Sequence, residues 1–562
     1  MKYVVVGGVA GGASTAARLR RLDEQAEIIM FEKGPHVSFS NCCLPYRLSE
    51  QVNANDKLVL MSPEQFACQY NIEARVSNEV LSIDRAGKKV RVKNLADGKE
   101  YEESYDKLIL APGANAIIPN VKGIESANIF VVKNVVDIAK LYSFLKEKDV
   151  KKVSVVGGGF IGVEVAENLT DAGYKVSLVE AMPQILRTYD YDMVQILHKE
   201  MMDKGIDLFL GDKAVEFRGS DLALESGKVV EGEAVVMAVG VTPDSRLAKD
   251  AGLELNSRGA IKVDPNYRTS DPDIYAVGDA IEVFNALTHK PTMLPLAGPA
   301  QKEARAAADH IYGRPVRNTG FIGSSCIKVF DYNAASTGLT AAQCEDEGIS
   351  YDIAYVIPQD RVGLMPGSCP LHYKLIYEVP TGRVLGAQAI SKGDAAKRID
   401  IVATLIKFGG TVDDLRDLEL CYAPPFSTAK DAGNHAGLVA CNLLQGVFRQ
   451  VRVDQVRDLV EAGAYIIDVR EENEYAQGHI TTAVNVPLSQ IRQRMDEIPK
   501  DRPVYLHCRS SQRSYNALLA LQGHGFDNIY NISGSFLGLC FYEYFNDVKQ
   551  DRKPVVTDYN FN

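Results

Sequence analysis

Two copies of a glycine-punctuated strand–turn–helix pattern, 150 residues apart, constrain this chain more than any other feature. The first reads Val4-Val5-Val6-Gly7-Gly8-Val9-Ala10-Gly11-Gly12-Ala13. The second reads Val153-Ser154-Val155-Val156-Gly157-Gly158-Gly159-Phe160-Ile161-Gly162-Val163-Glu164. An unbroken apolar run suits a strand covered on both faces in a parallel sheet. Gly7 and Gly157 permit the tight turn, Gly12 and Gly162 let helix and strand approach closely, and the helix N-terminus then faces a pyrophosphate. In the first copy Val9 replaces the middle glycine of the fingerprint. Each copy leads to a second apolar strand ending in an acid. Glu32 closes Glu27-Ile28-Ile29-Met30-Phe31, 25 residues after Gly7, and Glu180 closes Lys175-Val176-Ser177-Leu178-Val179. A carboxylate at that position accepts a hydrogen bond from a ribose hydroxyl.

The pair predicts an α/β chain with two dinucleotide-binding, Rossmann-like domains, the first for FAD and the second for NADH. Glu180 repels a 2′-phosphate, and no Lys or Arg follows until Arg187, so NADH is favoured over NADPH. The segments Leu108-Ile109-Leu110-Ala111-Pro112-Gly113 and Thr269 to Ala280 agree with this. The latter resembles the second FAD motif of two-dinucleotide-binding flavoproteins, whose aspartate hydrogen-bonds the ribityl chain, and Asp279 matches it. Expected FAD contacts are Gly7, Gly8, Gly11, Gly12, Glu32, Lys33, Asn41, Ala111, Gly113, Gly278, Asp279, Pro295, Leu296 and Ala297. Those for NADH are Gly157, Gly159, Phe160, Ile161, Gly162, Glu180 and Gly240. The FAD domain is expected over 1–115 and 245–317, with the NAD(H) domain inserted over 116–244.

Length and composition set the outer bounds. The 562 residues suffice for about three to five domains. A net charge of −11 argues against broad binding to nucleic acid or anionic membrane. No apolar run approaches the length of a membrane span. Met1-Lys2-Tyr3 runs directly into the first strand, so no signal peptide is expected. The ten cysteines show no metal-ligand spacing, which predicts no zinc or iron–sulfur site and fits a reducing cytoplasm.

Two cysteines stand out. Cys42 lies in Ser38-Phe39-Ser40-Asn41-Cys42-Cys43-Leu44-Pro45-Tyr46, just past the first βαβ unit, where a flavin disulfide reductase keeps its redox cysteine. Those enzymes usually carry a Cys-x4-Cys pair, and no second cysteine occurs here at that spacing. A single redox thiolate must hold its oxidised state as a sulfenate, a persulfide or a mixed disulfide with a small thiol. The second is Cys508, in Val504-Tyr505-Leu506-His507-Cys508-Arg509-Ser510-Ser511-Gln512-Arg513-Ser514. A cysteine leaving a strand at a helix start sits among converging backbone N–H groups, which stabilise a thiolate or persulfide anion. Four residues separate Cys508 from Arg513, against five in the wider phosphate-cradling loop of cysteine phosphatases, so the spacing favours sulfur transfer. Ser511 stands where many such loops carry glycine.

Ala464-Tyr465-Ile466-Ile467-Asp468-Val469-Arg470, Glu474, Gly478-His479-Ile480 and the Cys508 loop together resemble a rhodanese domain, expected over 450–548. Residues 318–442 occupy the place of the α+β dimerisation domain of flavin disulfide reductases. Across almost its whole length the chain resembles a coenzyme A disulfide reductase fused to rhodanese, and more narrowly the coenzyme A persulfide reductases of bacterial sulfide metabolism. The resemblance implies a homodimer with coenzyme A in a groove, its sulfur at Cys42, Ser38, Phe39 and Asn41 lining the groove, and Arg18 and Arg21 meeting its phosphates. It makes Cys42 and Cys508 the catalytic sulfurs, with Arg513 and Tyr422 beside them.

Three departures from the family pattern matter. Cys43 replaces a small residue after the redox cysteine, either as another small side chain or as a thiol that resolves oxidised Cys42. Leu364-Met365-Pro366-Gly367 stands for Tyr-Tyr-Pro-Gly, and Tyr422-Ala423-Pro424-Pro425-Phe426 stands for Tyr-Ala-Pro-Pro-Tyr. Only Tyr422 therefore remains of the phenols, and the histidine acid of glutathione reductase-like enzymes has no counterpart. Splitting a disulfide releases an alkyl thiolate, with a pKa of about 8.5, that benefits from a proton donor. A persulfide can instead release hydrosulfide, a weaker base. The sequence thus points to NADH-dependent reduction of coenzyme A persulfide and related persulfides. Two alternatives remain open: an NADH oxidase or peroxidase cycling through a Cys42 sulfenic acid, and a sulfur carrier or redox sensor acting through a Cys508 persulfide. The histidine that NADH peroxidases carry in the first glycine turn is Ala10 here.

Overall fold

The computed structural model describes residues 1–561, which form two compact units, 1–183 with 209–321 and 184–208 with the described residues from 322 onward. In the first unit Lys2–Val6 pairs in parallel with Glu27–Glu32 on one side and Lys107–Leu110 on the other. Glu73–Val76 and Ile274–Ala276 extend the same parallel sheet at its two ends. The strand 274–276 thus returns to the sheet begun at residue 2, after the second glycine fingerprint has built a sheet of its own. In that second sheet Lys175–Glu180, Lys152–Val156, Ala234–Met237 and Ile129–Phe130 run side by side, all parallel.

The apolar runs behave as parallel strands should. Tyr3, Val4 and Val5 are fully buried, as are Ile29, Met30 and Phe31 to within 1 %. Each such aliphatic side chain contributes about 1.5–3 kcal/mol relative to exposure. The glycine turns are built alike. Gly7 has φ +101° and Gly157 φ +113°, left-handed backbone that favours glycine. A Cβ on Gly12 would lie 1.8 Å from the Gly7 carbonyl oxygen, and one on Gly162 would lie 1.9 Å from that of Gly157. No side chain larger than hydrogen fits either position without moving the helix.

In the second unit an antiparallel sheet runs in the order Ser325–Val329, Tyr332–Gly338, Val384–Ser391, Leu371–Glu378, Tyr351–Val356. A parallel sheet follows with Val504–His507 at its centre, between Tyr465–Asp468 and Ile529–Ile532. The helix Tyr191–Asp203 belongs to this unit. Its Tyr191 hydroxyl accepts from Asn546 at 2.8 Å, and His198 packs on Phe545 of the last helix, Ser535–Gln550. Lys374 is buried between Asp190 and Asp192, at 2.9 and 2.8 Å. A fully desolvated cation of this kind persists only because both carboxylates meet it. Among the described residues no helix is long and apolar enough to cross a membrane.

Gly12→Ala should lower the thermal midpoint and yield protein with little bound FAD, because its new methyl group has no room beside the Gly7 carbonyl. Differential scanning fluorimetry with the flavin absorbance of purified protein reads both effects, at about 1–3 kcal/mol for the overpacking. A variant with wild-type midpoint and full flavin content would contradict the close approach.

Candidate active site

Helix starts differ in how their first N–H groups are satisfied. The helices Pro63–Tyr70, Val135–Glu147, Ala341–Glu347 and Ala432–Leu444 each have a side chain capping their first N–H groups. The helices Ala10–Leu22 and Phe160–Asp171, which follow the two glycine turns, have no side-chain cap and no acid in their first turn. The same holds for Ala297–Ile311, which begins after Leu294-Pro295-Leu296. Uncapped N–H groups and the helix dipole together make an anion site.

The two strand-end acids are pinned in matching ways. Glu32 accepts from Gly8 N at 2.9 Å and from Gly34 N at 2.8 Å. Glu180 accepts from Gly158 N at 2.6 Å and from Met182 N at 2.8 Å. Each carboxylate is thereby held at the rim of its glycine turn, where a ribose would lie. A cavity of about 70 Å³ beside Gly7 and Glu32 is lined also by Lys33, Pro112, Asp244 and Arg246. The residues present therefore fit FAD at the first turn and a nicotinamide dinucleotide at the second.

The Cys42 segment hangs from the first turn. Ser38 N donates to Gly8 O at 2.7 Å, and Leu60 N donates to Ser38 O at 2.7 Å, with Ser38 at φ +49°. Asn41–Cys43 then forms a single 3₁₀ turn that presents Cys42 to solvent, followed by a second over Pro45–Arg47. Phe39 bridges to Val59. Cys42 feels Glu164 from the second fingerprint helix and Asp279 from the Gly278 turn. Surrounding protein pushes its thiol up first, and Glu164, Cys43 and Asp279 add to that. All ten cysteines are free.

Several carboxyls here are themselves perturbed. Burial pushes Glu164 up to about 7, reinforced by Glu167. Glu303, 1 % exposed, is likewise raised to about 7 by burial, despite accepting from Gly278 N at 2.6 Å. Asp279 is raised by burial and partly offset by Lys133, whose ammonium also lies near Gly113. Glu164 was legible as the acid two residues past Gly162. Glu303 and Lys133 carried no sequence signal, being an acid in a charged helix and a lysine on a loop.

Other expected residues have definite places. Gly11 and Gly12 are buried, Gly113, Gly240 and Gly278 adopt left-handed backbone, and Ile161 is exposed. Ala111 N donates to Val6 O at 2.8 Å. Arg21 is exposed, while Arg18 is engaged by Asp309, with Nε at 2.9 Å from Oδ1. Arg18 is thus half of an ion pair rather than a free cation. Tyr422 lies in the second unit, half exposed, near Phe426, and the Phe426 carbonyl accepts from Arg398 at 3.0 Å.

The second sulfur site is assembled within the second unit. Cys508, 1 % exposed, ends the central strand of the parallel sheet, and the helix Gln512–Gln522 follows its loop. Arg513 forks onto Glu474 at 2.6 and 2.7 Å, and Ser514 Oγ donates to Cys508 Sγ at 3.7 Å. The Arg513 pairing holds the Glu474 carboxyl below its ordinary value. Arg470 is locked bidentately on Asp468 and stacks on Phe536, with 4.2 Å to the ring centre. His507 is buried, its desolvation lowering its affinity for a proton.

Comparisons with known proteins match these parts. Residues 1–304 fit the pyridine nucleotide-disulphide oxidoreductase family model, 324–432 its dimerisation domain and 452–540 the rhodanese-like domain. The coenzyme A disulfide reductase of Staphylococcus aureus is 35 % identical over 440 residues, covering 78 % of this chain and 99 % of that one. Reduced Bacillus anthracis CoADR-RHD superimposes with a TM-score of 0.94 at 41 % identity, over 97 % of this chain and 98 % of that one. A NAD-dependent persulfide reductase from A. fulgidus gives 0.91 at 32 % identity, over 95 % and 99 %.

The Glu303 carboxyl generates a test. Its folded-state value, raised from 4.5 to about 7, means the folded chain binds the proton more tightly. Its contribution to stability is therefore full below pH 4.5 and is lost as pH rises through about 7. In cofactor-free protein, Glu303→Gln should flatten the fall in urea midpoint between pH 5 and pH 7.5, the window of about those two values. An unchanged slope would contradict the assignment.

Proposed function

This chain belongs to the pyridine nucleotide-disulphide oxidoreductase family, and on that premise we propose that it is an NADH-dependent flavoprotein reducing coenzyme A persulfide and related small persulfides. The observation that carries the reading is the state of Cys42: an exposed, unpaired thiol hung from the first glycine turn, with only Cys43 as a neighbouring thiol. The reading is supported by the likeness to a coenzyme A disulfide reductase over 440 residues and to a NAD-dependent persulfide reductase over 95 % of this chain.

Bound FAD would supply the two-electron relay between NADH and the sulfur of residue 42. The protein's own groups do the rest. The uncapped helix at Ala10 and Glu32 would hold the adenosine diphosphate end of the flavin nucleotide, and Asp279 would meet its ribityl chain. The helix at Phe160 and Glu180 orient NADH, and the carboxylate of Glu180 disfavours a 2′-phosphate. Coenzyme A is placed along Ser38, Phe39 and Asn41, with Arg21 the freer of the two expected phosphate contacts.

Cys42 thiolate attacks the inner sulfur of the protonated persulfide, CoA–S–SH. The Cys42–S–S–CoA bond forms, the S–S bond of the persulfide breaks, and hydrosulfide leaves with the bonding pair. Two electrons and one proton then return Cys42 thiolate and free CoA–SH. Hydrosulfide departs more readily than an alkyl thiolate, so the scarcity of phenols leaves this substrate less affected than a disulfide. A homodimer, through residues 318–442, would bring Tyr422 of one chain to the site of another as the remaining phenol. Cys508, with Arg513, accepts sulfane sulfur from a donor and passes it on, with coenzyme A as a carrier suited to the task.

NADH consumption should be fastest with coenzyme A persulfide, slower with coenzyme A disulfide, and slowest with oxygen or peroxide. A reversed order, with peroxide or oxygen fastest, would favour the sulfenic acid cycle. Cys42→Ser should retain flavin yet lose persulfide turnover at least about a thousandfold, as expected on removing a nucleophile. Cys508→Ser should abolish sulfur transfer from thiosulfate and leave NADH reduction of the flavin intact. Equal loss of both activities would contradict separate roles for the two sulfurs.

A further inference from the structure

Two serines beside Cys508 hold backbone that ordinarily belongs to glycine. Ser511 has φ +73° and Ser535, fully buried, has φ +50°. They are 24 residues apart, one in the cysteine loop and one at the start of the last helix, and their hydroxyls meet at 3.1 Å. A side chain in this region is strained, so some contact must hold it there.

The hydrogen-bond count at Ser535 identifies that contact. A hydroxyl has one proton to donate and two lone pairs to accept with. Ser535 Oγ can donate to Ile532 O at 3.3 Å, while it accepts from Ser511 Oγ at 3.1 Å and from Cys508 N at 3.2 Å. Its capacity is full when Ser511 turns its proton to it. Ser511 Oγ also lies 3.0 Å from Ile532 O, so its single proton alternates between that carbonyl and Ser535 Oγ. The same helix start donates to the loop: Phe536 N to Cys508 O and Leu537 N to Arg509 O, both at 3.1 Å. The amide of Cys508 is therefore committed to Ser535. Ser514 Oγ, 3.7 Å from Cys508 Sγ, is the side-chain donor that serves the sulfur.

We propose that Ser511 and Ser535 are a coupled pair of positioning residues, whose shared hydroxyl contact fixes the Cys508 peptide for sulfur transfer. The inference rests on the sulfurtransferase reading of Cys508. In the transfer itself Cys508 thiolate attacks the outer sulfur of thiosulfate, the donor's S–S bond breaks, and sulfite leaves with the bonding pair. Cyanide then takes the terminal sulfur as thiocyanate and returns the thiolate, with no net change in electrons.

The test uses full-length, FAD-loaded protein with thiosulfate as donor and cyanide as acceptor. Glycine suits φ +73°, so Ser511→Gly removes the hydroxyl without straining the fold. Ser511→Gly and Ser535→Gly should each lower kcat about three- to tenfold, the size of one lost hydrogen bond, while KM for thiosulfate changes less than about twofold. The double variant should be no slower than the slower single variant, because the two hydroxyls act as one unit. Ser511→Ala, which keeps a Cβ at φ +73° without the hydroxyl that holds it, should be at least as slow as Ser511→Gly. Wild-type kcat in Ser511→Gly, or losses that multiply in the double variant, would overturn the pair. Sulfur transfer surviving in Cys508→Ser would instead overturn the reading on which it rests.

Discussion

The close approach of Gly12 to the Gly7 carbonyl, repeated by Gly162 at Gly157, is the contact on which the first unit depends. It brings a helix start, bare of side-chain caps, to the end of a buried parallel strand. The strand-end carboxylates then bond the turns themselves, Glu32 to Gly8 and Glu180 to Gly158. The consequences extend beyond nucleotide binding. Ser38 donates to the Gly8 carbonyl, so the segment that displays Cys42 is fastened to the same turn that receives a pyrophosphate. Sequence, turn geometry and the placement of the reactive thiol form one chain of causes.

The two cysteines sit in different settings. Cys42 is solvent-accessible and has the carboxyls of Glu164 and Asp279 within reach, so the protein groups alone disfavour its thiolate. Cys508 is buried, with Ser514 Oγ donating to its sulfur and its amide held by Ser535. The contrast fits a division of labour in which one sulfur exchanges with a diffusible substrate under reduction and the other carries sulfur at constant oxidation state.

Much of this was legible in the sequence because it depends on local spacing. Glycine turns, strand-end acids, the Gly278-Asp279 motif and the Cys508 loop each rest on short stretches of chain, and backbone geometry fixes what such spacing does. Contacts between distant segments were not legible. Arg18 reads as a free basic residue on a helix face, yet Asp309 claims it from 291 residues away. Glu303 reads as one acid in a charged helix, and burial against the Gly278 turn changes its protonation. Ser511 reads as a misfit for a glycine position, and its reason is a hydroxyl on another element. Helix 191–203 falls between two strands in sequence but packs within the second unit, through Tyr191 and His198.

The central claim is that Cys42 finds its oxidised partner in a diffusible molecule rather than in the polypeptide. Peptide mass spectrometry of the oxidised protein after one equivalent of coenzyme A persulfide, without NADH, tests it most directly. The account predicts a sulfur or coenzyme A adduct on the Cys42 peptide, released on addition of NADH. A disulfide joining Cys42 to Cys43 or to any other cysteine of the chain, with no adduct, would contradict it.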